Sequence, residues 1–136
     1  MNTVKVRNIE IGAGAPKIIV PIVGVTKEEI LDAARSFDSI SLDVVEWRVD
    51  WFEDVFNFSK VEEVLKELRQ ILGDTPLLMT FRTSKEGGEK AIDNTAYIDL
   101  NVKATNTGYV DFVDVEIFTG DDVVSTIIDQ VHAAGV

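Results

Sequence analysis

The sequence predicts a parallel α/β domain built from four βα units, and three observations carry that reading. Apolar, β-branched runs alternate four times with stretches of helical periodicity, at a repeat of roughly 30 residues, the size of a βαβ unit. The central strand-like run, Leu42 to Asp50, begins apolar on both faces, as in a strand covered on each side by other elements. Three successive runs then end in charge on one face: Glu46 and Arg48, next Arg82, next Asp114 and Glu116. Right-handed crossovers would gather those three ends on one rim.

Taken in order, Val4, Val6, Ile9 and Ile11 suggest two short strands, a hairpin-like lid over residues 1–17 ended by the turn-prone Gly12 to Pro16. Residues 18–136 hold the four units, and 1–136 reads as one domain. Ile18 to Val25 is a buried strand interrupted by Pro21, which cannot donate to a sheet ladder. Thr26 and Glu29 form a capping box, and the helix after them aligns Ile30, Ala33, Ala34 and Phe37. The central strand is Leu42 to Asp50. Ser59 and Glu62 suggest a second capping box before the stripe Val61, Val64, Leu65, Leu68, Ile71 and Leu72, stopped at Gly73. Leu77 to Arg82 is the next strand, and Thr83 to Glu89 a polar loop. A helix over Asn94 to Asn106 follows, then a strand over Tyr109 to Phe118. Thr119 and Asp122 suggest a cap for the last stripe, Val123, Val124, Ile127, Ile128 and Val131.

The central strand decides where function lies. Val45, Trp47 and Val49 share one face, while Leu42, Val44, Glu46, Arg48 and Asp50 share the other. Burying that acid–base–acid trio without partners would cost several kcal/mol per ion. A charged tip on an apolar strand is what a parallel α/β sheet offers a ligand. An internal Glu46–Arg48 ion pair plugging a core is the competing explanation. The same pattern at Arg82, Asp114 and Glu116 favours a ligand rim.

Composition excludes several classes. Lys and Arg number 13 against 24 Asp and Glu, a formal net charge of -11 that repels nucleic acid and anionic membranes. Cysteine is absent, so no disulfide framework or thiolate metal site is expected, and a cytoplasmic location fits. No apolar run approaches the roughly 20 residues of a membrane span, and the first ten lack a signal-peptide core. Gly87-Gly88 is no dinucleotide fingerprint, so no nucleotide cofactor is expected. An oxygen-ligand metal site of Glu46, Asp50, Asp114 and Glu116 is conceivable, but Arg48 and Arg82 would repel the cation. His132, the single histidine, reads as a surface residue at a helix end. Lys85 beside Glu86 should stay charged rather than form an imine. Trp47 reads as packing under a helix, and Asp54, Asp121 and Asp122 as loop and cap residues.

The run Glu46-Trp47-Arg48-Val49-Asp50 resembles the second-strand signature of type I 3-dehydroquinate dehydratase. Residues 76–89 (PLLMTFRTSKEGGE), 113–122 (VDVEIFTGDD) and 11–20 (IGAGAPKIIV) resemble that family's third strand and loop, its fourth strand, and its N-terminal entry. The resemblance implies a (β/α)8 TIM barrel with its site at the C-terminal mouth, of which this chain is a four-unit half. It implies dehydration of 3-dehydroquinate to 3-dehydroshikimate through a Schiff base, a step toward aromatic amino acids, with no metal or organic cofactor. By the same match Glu46, Arg48 and Arg82 are substrate-binding residues, and Glu86 orients a catalytic histidine. Asp114 and Glu116 are second-tier rim carboxylates. Pro21 stands where some members carry a serine near the substrate. The imine-forming lysine and the histidine belong to the family's second half-barrel, so the 136 residues are expected to be inactive alone. Two open sheet edges point to a homodimer or a complementary half barrel as partner. A non-catalytic binding or assembly module is the alternative.

Overall fold

The computed structural model describes residues 2–136 and has the expected alternation. Strands β1 (Val4–Val6) and β2 (Ile9–Ile11) form an antiparallel hairpin. They are followed by β3 (Ile19–Ile22), α1 (Lys27–Ser36), β4 (Val44–Arg48), α2 (Phe58–Leu72), β5 (Leu77–Thr80), α3 (Asn94–Asn106), β6 (Phe112–Val113) and α4 (Asp121–Ala133). The four later strands pair in parallel in sequence order, β3-β4-β5-β6. The register sets Glu46 beside Pro21 and Leu78, and Arg48 beside Thr80. The buried strand expected over Ile18 to Val25 is instead a short edge strand, Ile19–Ile22, with Ile18, Ile19, Val23 and Val25 exposed, because no strand lies beside its outer edge among the described residues. The same edge position tolerates Pro21.

One face of the sheet makes the core. Val45, Trp47, Val49, Leu77, Met79 and Phe81 are fully buried against Ile30 and Leu31 of α1, Val61 to Leu68 of α2, Tyr97 and Leu100 of α3, and Ile127 of α4. Trp47 packs under the helices as expected, its ring centroid 5.9 Å from that of Phe52. Glu46, Arg48 and Arg82 project from the opposite face. Period-two alternation makes this separation unavoidable once the apolar set is buried.

The capping box at α1 is present, with the Thr26 hydroxyl accepting from the Glu29 N–H at 3.2 Å and the Glu29 carboxylate accepting from the Thr26 N–H at 3.1 Å. Four local expectations are corrected. Helix α2 begins at Phe58 with Asn57 as N-cap, so Ser59 lies inside the first turn and its hydroxyl donates to the Asn57 side chain instead of forming a box with Glu62. Helix α4 is capped by Gly120, and the Thr119 hydroxyl donates back to the Glu116 carbonyl at 2.8 Å. The strand read over Tyr109 to Phe118 shrinks to Phe112–Val113, and a 3-10 turn takes Ile117–Thr119. The cause is Glu116: its N–H is taken by the Tyr97 hydroxyl at 3.0 Å, which draws the chain out of the ladder. The central strand is shorter too, because Val49–Trp51 is a 3-10 turn.

The hairpin is no lid over the site. Arg7 donates to Asp111 at 2.7 Å and to Asp74 at 3.2 Å, two residues that precede β6 and β5. Arg69 meets the other Asp111 oxygen at 2.7 Å. The hairpin is therefore staked to the N-terminal ends of the strands, away from the charged rim.

Candidate functional site

The C-terminal ends of β4, β5 and β6 carry all five predicted rim ions; Arg48, Arg82, Asp114 and Glu116 are joined through hydrogen bonds that include Asp50, and Glu46 stands beside them on Thr80. Glu46 accepts from the Thr80 hydroxyl at 2.8 Å across the β4–β5 pair. Arg48 donates to both oxygens of Asp50, Nε at 2.9 Å and Nη2 at 2.8 Å. Arg82 reaches Glu116 at 3.2 Å through Nη1 and Asp114 at 3.1 Å through Nη2. The Arg82 N–H donates to Asp50, so the two arginines are tied through one carboxylate. Arg48 and Arg82 keep 22% and 29% of their side-chain surface exposed, so each guanidinium has donors left for a solute.

Electrostatics favours the charged forms of Arg48, Arg82 and Asp50. The Asp50 bond, with the Coulomb attraction of that carboxylate and of Glu46, pushes Arg48 above its ordinary value despite its burial. Burial works to lower Arg82, but Asp114 and Glu116 outweigh it and push it up. Burial tends to raise Asp50; the Arg48 guanidinium and the N–H groups of Glu89 and Arg82 overcome this and hold it below the usual carboxylate range. Burial pushes the Tyr97 hydroxyl up to about 12, so it stays a neutral donor and acceptor.

Glu86 lies on a 3-10 turn at Ser84–Glu86, exposed, on the wall of a cavity of about 180 Å³ with Thr83, Tyr97, Glu116 and Phe118 among its lining. Glu116 is more than a rim carboxylate. Its buried side chain accepts from the Thr83 N–H at 2.9 Å and hydroxyl at 2.8 Å, fastening the start of the loop. Asp114 offers one oxygen to Arg82, and its Oδ1 is buried with no partner among the described residues. Among the described residues no three His, Cys, Asp or Glu side chains are placed to share a metal ion. The carboxylates proposed for one are engaged with arginines or Thr80.

Sequence reasoning missed three participants. Thr80, within the strand ending at Arg82, is the contact that steadies Glu46. Thr83 was read as loop. Lys90 donates to the carbonyls of Asp50 at 2.6 Å and Phe52 at 2.9 Å, a partnership between distant loops that no local pattern signals. Lys85 and His132 lie exposed, the latter at the end of α4. Among the described residues no helix is long and apolar enough to cross a membrane.

Comparison with known proteins gives a consistent result. Residues 18–136 match the model of the family described as type I 3-dehydroquinase. A 3-dehydroquinate dehydratase of Clostridioides difficile is 50% identical over 129 residues, covering 95% of this chain and 51% of the relative. One of Listeria monocytogenes is 50% identical over 132 residues, covering 97% and 52%. The solved type I 3-dehydroquinate dehydratase of Clostridium difficile with covalently modified comenic acid superposes with a TM-score of 0.97 at 48% identity, over 99% of this chain and 53% of that one. The enzyme from Enterococcus faecalis superposes at 0.93 with 41% identity, over 98% and 55%. The chain thus spans about half the length of the relatives it matches.

Proposed function

Because this chain belongs to the type I 3-dehydroquinase family, we propose that its residues form the substrate-holding half of a 3-dehydroquinate dehydratase site. The observation that carries the proposal is the rim itself: Glu46, Arg48 and Arg82 on adjacent strand ends, with Asp114 and Glu116 balancing the positive charge. A hydroxylated, negatively charged six-membered ring suits such a surface. Two planar guanidinium groups donate to oxygens of the ligand, and Glu46 accepts from a hydroxyl.

In the reaction implied by the family, a lysine amine condenses with the substrate ketone and releases water, giving an iminium. A histidine removes a proton from the carbon beside it, and the hydroxyl on the next carbon leaves as water. Hydrolysis of the imine then returns the lysine and frees 3-dehydroshikimate. The iminium is the electron sink, so the scheme calls for no metal or organic cofactor. In this reading the lysine and histidine belong to the second half of the barrel, and Glu86, exposed on the wall of the cavity beside the rim, takes the role of orienting that histidine. The contribution of these residues is ground-state positioning.

The expected result is that 3-dehydroquinate shifts the side-chain NMR signals of Arg48 and Arg82 in the 136-residue chain, with no turnover. Borohydride reduction in its presence should leave the intact mass unchanged. A covalent adduct would refute the assignment of the imine lysine elsewhere. Undisturbed arginine signals at millimolar ligand would refute the binding role.

An assembly role is favoured by a separate observation. Ile18 and Ile19 at the β3 edge are each 53% exposed, and Ile117 and Phe118 on the turn after β6 are 67% and 85% exposed. Outer edges of β3 and β6 have no strand beside them among the described residues. A homodimer or a complementary half barrel would cover both. Sedimentation should therefore give a mass that rises with concentration over the micromolar range, and a strictly monomeric chain would count against self-assembly.

A further inference from the structure

We infer that Asp50 is a positioning residue whose buried carboxylate orients the Arg48 guanidinium and pins both ends of the Arg82–Lys90 loop, so that the loop bearing Glu86 is ordered before any ligand arrives. The consequence for substrate rests on the function proposed above; the ordering of the loop does not.

Asp50 is 0% exposed, and a carboxylate so placed needs partners for every lone pair. It divides its two oxygens evenly. Oδ1 accepts from Arg48 Nε at 2.9 Å and from the Arg82 N–H at 3.2 Å. Oδ2 accepts from Arg48 Nη2 at 2.8 Å and from the Glu89 N–H at 3.1 Å. One side chain thus couples the guanidinium to the first and near-last residues of the loop. The Asp50 carbonyl takes Lys90 Nζ as well. A backbone bridge between Thr83 and Lys90, with Ser84 N–H on the Lys90 carbonyl at 2.9 Å, closes the neck.

An ion pair serving only to neutralise a buried charge would not need the loop amides. Asparagine at this position tests the distinction. It has one oxygen for four donors, and its amide nitrogen would face the guanidinium, so it cannot reproduce the even division.

The experiment is amide hydrogen exchange and 15N NMR on the full 136-residue chain. In the wild type, the Arg82 and Glu89 amides should be protected to near the global limit, and the Arg48 Nε–H should give a slowly exchanging signal. In Asp50→Asn those two amides should exchange roughly 10- to 100-fold faster, as expected for losing hydrogen bonds to a charged acceptor, and the Arg48 Nε–H signal should be lost. Lys90→Met, which removes the Nζ bonds to the Asp50 and Phe52 carbonyls without touching the carboxylate, should keep that signal; a merely structural effect would erase it in both. Unprotected Arg82 and Glu89 amides in the wild type would overturn the inference even if Asp50→Asn fails to fold. So would an Asp50→Asn chain with unchanged exchange and an intact Arg48 signal. If the protection is as expected but 3-dehydroquinate leaves Arg48 undisturbed, the substrate reading falls and the ordering role of Asp50 stands.

Discussion

Truncation of Trp47 to alanine should lower the thermal midpoint by roughly 10–20 °C, or remove the cooperative transition altogether. The side chain is fully buried in the middle of the helix-facing layer, against Phe52. Losing a buried Trp or Phe side chain costs about 3–5 kcal/mol. A domain of this size has about 5–15 kcal/mol in total, and two open sheet edges place this one toward the lower end. The indole N–H is buried without an acceptor among the described residues. Trp47→Phe, which keeps most of the ring and removes that orphan donor, should therefore fall far less. Circular dichroism melts of the two variants check both statements, and a Trp47→Ala melt within a few degrees of wild type would show that the core is not organised around this residue.

Alanine at Gly88 should unseat the Arg82–Lys90 loop. A β-carbon built on Gly88 falls inside the van der Waals sphere of the Arg82 carbonyl oxygen and also meets the Arg82 carbonyl carbon. Backbone is the obstacle, so no rotamer change relieves it. The Gly88 N–H bond to the Thr83 carbonyl, 2.8 Å long, sits at the same crossing and must break. Gly87 differs: it has φ +88 but open space around its β position, so Gly87→Ala pays only the left-handed backbone penalty. Hydrogen exchange across 83–90 should show the loop collapsing to free-peptide rates in Gly88→Ala and staying largely protected in Gly87→Ala. Equal protection in both would mean that the crossing at Arg82 does not hold the loop.

Much of the architecture was legible because it rests on local periodicity. The stripe from Val61 to Leu72 could be nothing but a helix face, and Thr26 with Glu29 set the start of α1. Asn94–Asn106 emerged with its ends unchanged. The alternation of Glu46, Trp47 and Arg48 foretold which side would be core and which would carry charge. Errors came where a long-range partner overruled a local preference, or where a neighbouring residue took the cap. Glu116 ended the last strand early by binding Tyr97 and Thr83, and Asn57 displaced the capping box read at Ser59.

By itself the sequence determined the order of strands and helices, the buried face of the four helices and of the two central strands, and the set of ionic side chains at the strand tips, because these follow from side-chain spacing along one chain. Which of those ions partner one another was decided only by tertiary structure. Asp50 joins Arg48 to a loop 39 residues away at Glu89, and Lys90 caps carbonyls of another turn. Hydrogen bonds of that kind depend on where separate loops converge in space, and spacing along the chain carries no record of it.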